Sequence, residues 1–349
     1  MNAYKKWLII TLLFILLPLA ALAGFNYYID PLWNFRHANP YNRIQASFDE
    51  RQQKTNYVTF GDFDYDALIL GSSRTSYISQ DDFYGCKAYN YAVNNMLMEE
   101  YQGYVKYARQ KHPGQIDTIF LGLDFFTTNR NLKLDNQFNP PSYYIGQAGE
   151  FGYRYKTLLS IDAFKYARQN YYASRQGVAV NYAYDRNNVK TLLKVDKATR
   201  DAQIKSSLER YRTRIYADYK YREVKKTLTA LKKDNPDTRF VVFTTPVSAP
   251  LYNQMVQMGL LPYYQQWLTD LVDVFGQVYC FTYPNSVTTN LDNYYDAGHF
   301  YPEIGTLVAH RVTGFSDPNI PPDFGALLTP QTLPSFLNDL NHKTTPNNP

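Results

Sequence analysis

Apolar positions along the chain fall into three patterns, each predicting a different kind of element. The first is one continuous run, residues 7–23, led by Lys5 and Lys6 and followed by Phe25, Tyr27, Tyr28 and Trp33. About 17–20 such residues cross a bilayer as a helix, so the run predicts a single membrane span. Lysines before it and few charges just after it put the N terminus in the cytoplasm and the remainder outside. The aromatic cluster resembles an interfacial belt and favours an uncleaved anchor over residues 1–28. Ala21-Leu22-Ala23 has the small-x-small form of a cleavage site, so a cleaved leader remains the rival reading.

The second pattern is a set of short, unbroken apolar runs at 67–70, 88–93, 117–123, 239–244 and 277–282. Runs of this length separated by helical material indicate parallel strands buried on both faces. They predict an α/β fold, a three-layer sandwich around a mostly parallel five-stranded sheet. The third pattern has helical spacing. It covers 96–110, 199–213 and 216–233, where Tyr221, Val224, Leu228 and Leu231 share one face. The weakly periodic stretches complete the layout. Residues 29–60, with Pro31, Pro40 and several Asn, read as an extended linker ahead of a domain at 61–313. That domain carries an insertion at about 127–235, helical or irregular, with Pro140-Pro141 in its first part. Residues 314–349 read as a proline-rich tail with one short helix at 331–341 and a disordered end at 342–349.

Composition changes this picture only a little. A length of 349 residues allows one large domain or two ordinary ones. The net charge of +5 is dispersed without a basic run, which excludes a nucleic-acid partner. The 34 tyrosines and 21 phenylalanines suit either core packing or sugar stacking, and most are assigned to the core. Cys86 and Cys280 form neither a disulfide framework nor a metal pattern, and no cofactor is implied. His37, His112, His310 and His342 show no ligand spacing and are read as surface residues.

Ligands of open parallel sheets bind beyond the carboxyl ends of the strands, so polar residues there are the candidates for chemistry. The first strand delivers Ser72, Ser73 and Arg74, the second Asn94 and Asn95, and the third Asp124. Beyond the fifth lie Asp296 and His299, flanked by Tyr294, Tyr295 and Tyr301. Ser73 is a nucleophile candidate or a helix N-cap, with Ser72 as the fallback nucleophile. His299 is a base candidate or a loop histidine, and Asp296 is its orienter or a cap for a helix near Pro302. Arg74, a cation at an expected helix start, calls for an acidic partner such as Asp124. The three tyrosines line a sugar groove or pack the loop, packing being preferred.

At these positions the chain resembles the SGNH (GDSL-type) hydrolase superfamily. Gly71-Ser72-Ser73 is similar to its nucleophile block and Asp296-x-x-His299 to its last block. "NYAVNN" (90–95) and "LGLD" (121–124) occupy the places of the second and third. With an N-terminal anchor, the chain looks most like the membrane-anchored proteins of bacterial polysaccharide O-acetylation and D-alanyl transfer. The resemblance implies acyl-ester chemistry. Ser73 attacks, His299 takes its proton and Asp296 orients the imidazole. The backbone N–H groups of Ser73 and Asn95, with the positive end of a helix opening there, hold the oxyanion. Asn95 stands where the family has glycine and Asp124 where it has asparagine. A carboxylate at the second position repels an oxyanion unless another group engages it. The implied substrate is an O-acyl group on a cell-surface or exported glycan, and the implied partner a multi-pass membrane acyltransferase. A lipid or small-ester esterase and a catalytically silent glycan-binding or assembly factor remain open. The sheet order typical of the superfamily makes the strands of Cys86 and Cys280 opposite edges, which predicts two free thiols.

Overall fold

The structure is a computed structural model and describes residues 2–46, 48–112, 114, 116–134, 138–178 and 182–344. It divides into two compact units, Met1–Phe63 with Asn139–Leu193, and Asp64–Phe138 with Lys194–Pro349. Residues 139–193, inside the expected insertion, therefore group with the N-terminal segment.

The second unit is built on a mixed sheet in the order Ala88–Asn90, Ala67–Gly71, Thr118–Leu123, Arg239–Thr244, Val278–Cys280 and Ala326–Leu328. The first five strands are parallel, as their unbroken apolar runs predict; Ala67–Gly71 and Thr118–Leu123 are buried along their whole length. The sixth corrects the expected count of five. Ala326–Leu328, in the segment read as a tail, pairs antiparallel with Val278–Cys280. Register brings Gly71 opposite Gly122, so the ends of the two central strands are level. Both cysteines are free thiols. Cys86 precedes one edge strand; the strand of Cys280 is not the opposite edge, because Ala326–Leu328 lies beyond it, yet three strands still stand between the two.

Helices follow their capping signals more closely than their expected boundaries. Met98–Lys111 and Leu333–Thr344 lie close to the expected 96–110 and 331–341. The latter extends into the stretch expected to be disordered; residues 345–349 and the His342 side chain lie outside the described residues. The helix Pro302–Thr313 opens on proline and stops at Gly314, whose φ of 75° lies in the left-handed region that glycine favours. Of the two helices expected at 199–213 and 216–233, the first is Lys197–Arg210, widening into a π-turn over Tyr211–Ile215. The second is only Lys225–Lys233; Leu228 and Leu231 are buried as the stripe requires, and Val224 beside them is buried too. Tyr221 stands before that helix, in an antiparallel bridge with Asn129, and its hydroxyl donates to Asp270 (2.8 Å).

The first unit contains the apolar helix Ala3–Ile29, long and apolar enough to cross a membrane. It ends at Asp30, in the left-handed region, whose carboxylate accepts the N–H groups of Asn34 (2.7 Å) and Arg36 (3.0 Å) and pairs with Arg186 (2.6 Å). The segment 29–60 is not an extended linker. It contributes a short strand, Gln45–Ala46, and a helix, Glu50–Phe60, capped by the Asp49 side chain on the Gln52 N–H. That helix buries nine consecutive residues from Glu50 to Val58, most of them polar. Trp33 is also internal, packed edge-on to Tyr184 with centroids 5.5 Å apart, so it is no part of an exposed aromatic belt.

Candidate active site

The strand Ala67–Gly71 ends where the chain must turn across its neighbour. A Cβ on Gly71 would come within 2.2 Å of Thr75 Oγ1 and 2.6 Å of the Gly122 carbonyl, so only glycine fits there. The following turn is tied by the Ser76 N–H on the Ser72 carbonyl (3.1 Å) and by Ser76 Oγ on the Ser73 carbonyl (2.7 Å). No α-helix opens at Ser73 or Arg74, contrary to expectation. One 3₁₀ turn, Thr75–Tyr77, replaces it. Its carbonyls are taken by a side chain: buried Asn90 donates to Thr75 O (3.1 Å) and Ile78 O (2.8 Å). The macrodipole of so short a turn adds little to the site.

Ser73 is half-buried, and its hydroxyl lies 2.9 Å from His299 Nε2. On the other side of the ring, His299 Nδ1 is 3.0 Å from each carboxylate oxygen of Asp296. An acceptor facing Nδ1 selects the tautomer protonated there and leaves Nε2 to accept from the serine. Asp296 caps no helix. Its Oδ1 instead accepts the backbone N–H groups of Gly298 (2.7 Å) and His299 (2.8 Å), closing the turn that presents the imidazole. Burial by itself raises the Asp296 pKa. His299, those hydrogen bonds and Arg210 outweigh it and hold the carboxyl down to about 2.

Asp124 and Arg74 form a buried pair, 2.8 Å apart and 1 % and 3 % exposed at their side chains. Asp124 also accepts from Thr245 Oγ1, and Arg74 Nη2 donates to the Tyr211 hydroxyl. The guanidinium sits 5.2 Å from the centre of the Phe126 ring. Burial disfavours its charge, but Tyr211 and Asp124 more than compensate and hold its pKa above the ordinary value. Asp124 therefore anchors the arginine behind the turn and takes no part in the wall of the cleft. Gly298 allows this: a Cβ there would meet Arg74 Nη2 at 3.1 Å.

The cleft beside Ser73 holds about 150 Å³ and includes Asn94, Asn95, Tyr211 and His299 in its wall. Asn95 takes φ 52°, a left-handed geometry that asparagine tolerates better than most residues. Among the described residues, Arg74, Lys133, Arg210 and Arg214 stand along the wall and no carboxylate joins them. Arg210 Nε is buried and has no hydrogen-bond partner among the described residues.

Ser73, Asp296 and His299 thus come together, with Asn95 and Arg74 beside them and Asp124 one layer behind. Ser72 is buried, its hydroxyl receiving the Arg74 N–H at 3.3 Å. Tyr294, Tyr295 and Tyr301 are buried packing residues. His310 is half-buried and bonded to Asp317 (2.8 Å). Arg210, Tyr211 and Thr245 escaped the sequence reading. Thr245 had a usable signal, since it follows a strand directly; Arg210 and Tyr211 had none, because only the fold carries their segment to the strand ends. Comparison of the chain with protein-family models, with curated proteins and with solved structures finds no match.

Proposed function

We propose that this protein is a serine acyl-ester enzyme of the SGNH type, a hydrolase or O-acetyltransferase acting on a cell-surface or exported polysaccharide. The observation that carries the reading is the relay Ser73–His299–Asp296, assembled from residues 226 positions apart with both imidazole nitrogens engaged. Ser73 Oγ attacks the acyl carbonyl as its proton passes to His299 Nε2, and Asp296 stabilises the imidazolium. The imidazolium then protonates the departing alkoxide, leaving an acyl-serine. Water or a sugar hydroxyl, deprotonated by His299, resolves that ester and regenerates the serine.

The buried arginine removes the electrostatic objection to Asp124. Its charge is matched by Arg74 within 2.8 Å, so the field at the serine is that of a pair. The cleft volume of about 150 Å³ supports a short acyl group over a long-chain lipid, since sites for larger ligands run to several hundred Å³. On this reading the apolar helix is an anchor, the rest of the chain is extracytoplasmic, and a multi-pass membrane acyltransferase supplies the acyl group.

A fluorophosphonate probe tests the nucleophile. Labelling of the full chain is expected, with loss in Ser73→Ala together with a drop in acetyl-ester turnover of about 10³-fold or more. Turnover that survives Ser73→Ala sinks the assignment. A folded protein that never labels but retains glycan binding identifies the silent binding factor. Preference for long-chain over acetyl esters identifies the lipid esterase.

A further inference from the structure

We propose that the unit containing the apolar helix is seated on an anionic bilayer through a collar of aromatic and aliphatic side chains around the end of that helix. The inference rests on the reading of Ala3–Ile29 as a membrane span and goes beyond it, because it names the part of the folded chain that touches lipid.

The helix is solvent-facing along nearly all of its first nineteen residues and begins to be covered at Leu22. Its cover is the segment 157–171. Asn26 Nδ2 donates to the carbonyls of Leu158 (2.8 Å) and Ser160 (3.1 Å), and the Phe25 ring meets Phe164 at 5.5 Å. With Lys5 and Lys6 outside the hydrocarbon, about 20 residues at 1.5 Å each span its ~30 Å and bring the far boundary to Asn26. The carbonyls bonded to Asn26 therefore lie at headgroup depth, whichever side of the membrane the folded chain occupies.

The side chains beside those carbonyls are apolar and uncovered. Leu159 and Ile161, on either side of Ser160, are 50 % and 60 % exposed; Tyr155 is 63 % and Phe151 97 % exposed. One exposed apolar residue is ordinary, but four within eleven positions, joined to a membrane helix, form a surface that water alone disfavours. Tyr155 connects to the helix end through rings, with Phe35 6.2 Å away and Phe35 in turn 4.8 Å from Tyr27. Amphipathic rings at this depth are what an interface accommodates. The charge also fits. Lys156, Arg168 and Arg175 are exposed on the same segment, while Lys165 is matched by Asp162. Cations at the rim of an inserted apolar surface attract anionic headgroups.

The test uses the full chain in nanodiscs containing phosphatidylglycerol, with p-benzoylphenylalanine introduced singly at Phe151, Leu159 or Ile161. Leu13 in the helix serves as the reference, with unirradiated samples as the blank. Mass spectrometry is expected to find lipid adducts at Leu13 and at the collar, with collar yields roughly tenfold above the unirradiated blank. Replacing phosphatidylglycerol by a zwitterionic lipid lowers the collar yield and leaves Leu13 unchanged. Adducts at Leu13 without any at the collar overturn the collar and leave the anchor standing, as does crosslinking of the collar to a second copy of the chain. Absence of adducts at Leu13 overturns the anchor and the collar with it.

Discussion

The strand Ala67–Gly71 and the helix Glu50–Phe60 are both internal, yet they are made of opposite residues. The strand is apolar; its backbone groups pair with neighbours on both sides, and its side chains need only be covered. The helix satisfies its own backbone, which frees its side chains to serve others. Gln53 donates to the carbonyls of Pro31 (2.9 Å) and Ala46 (3.2 Å), and Asn56 to that of Leu32 (2.9 Å). Glu50 accepts from Lys190 (2.7 Å) and the Tyr184 hydroxyl (2.9 Å). The carbonyls of Pro31, Leu32 and Ala46 need donors, and the polar helix supplies them. Burial is thus achieved by exclusion of water around the strand and by specific pairing along the helix. The second device is the more brittle, because removing one partner leaves the other buried without compensation.

The largest effect that tests this contrast belongs to the site. Asp296→Asn retains an Oδ1 for the N–H groups of Gly298 and His299, so the turn survives while the imidazolium loses its counter-charge. Turnover is expected to fall about 10²–10⁴-fold, equivalent to ~3–5 kcal/mol, against a stability loss in urea of no more than ~2 kcal/mol, the worth of the depressed carboxyl pKa. A comparable loss of stability would mean that Asp296 is structural. Next is a buried ion pair, the same pairing device at work in the second unit. Arg74→Met strands Asp124 in the interior and is expected to destabilise by about 3–5 kcal/mol. Adding Asp124→Leu should recover most of this in equilibrium unfolding, since the lone charge is then gone.

Dependence on pH separates the units further. Burial pushes the Lys54 ammonium down to about 7, with Glu50 opposing and Lys190 adding to the shift. Between about pH 7 and 10 the unfolded chain binds more protons at this lysine than the folded one, so its contribution makes stability rise with pH there. Lys54→Met should remove that rise, worth a few kcal/mol at most. Asp296 acts at the acid end. Its folded pKa lies below the unfolded value, so its stabilisation is present above about pH 4 and lost as pH falls through about 2. Difference curves between wild type and each variant isolate the two windows. The smallest effect is Gln53→Leu, which leaves two carbonyls without a donor and is expected to cost about 1–3 kcal/mol. A neutral result would show that water replaces the glutamine and that this interior is wetter than its burial indicates.

The strands were legible because an unbroken apolar run of four to six residues reports burial directly. Ala326–Leu328 was not: three residues in a proline-rich stretch become a strand only by pairing with Val278–Cys280. The helix Glu50–Phe60 was hidden for the opposite reason, since its residues resemble a solvated segment and only Asp49 marks its start. Around Ser73, strand ends and the short spacing of Asp296 and His299 were enough to nominate the cluster. The 3₁₀ turn in place of a helix was not foreseeable, because it depends on Asn90 reaching back to carbonyls of another segment.

What the sequence by itself determined is therefore local: the apolar helix, the five parallel strands, the glycine that lets the chain turn, and polar residues at strand ends. These follow from burial, capping and steric rules acting within a few residues. The tertiary structure alone decided most of the partners. It brought Arg210 and Tyr211 to the serine and gave the carbonyls of Pro31, Leu32 and Ala46 their donors from a polar helix, whereas the Arg74–Asp124 pair was already suggested by a cation at a strand end. Each of those choices depends on charge and hydrogen-bond complementarity between segments far apart in the chain, which no local pattern encodes.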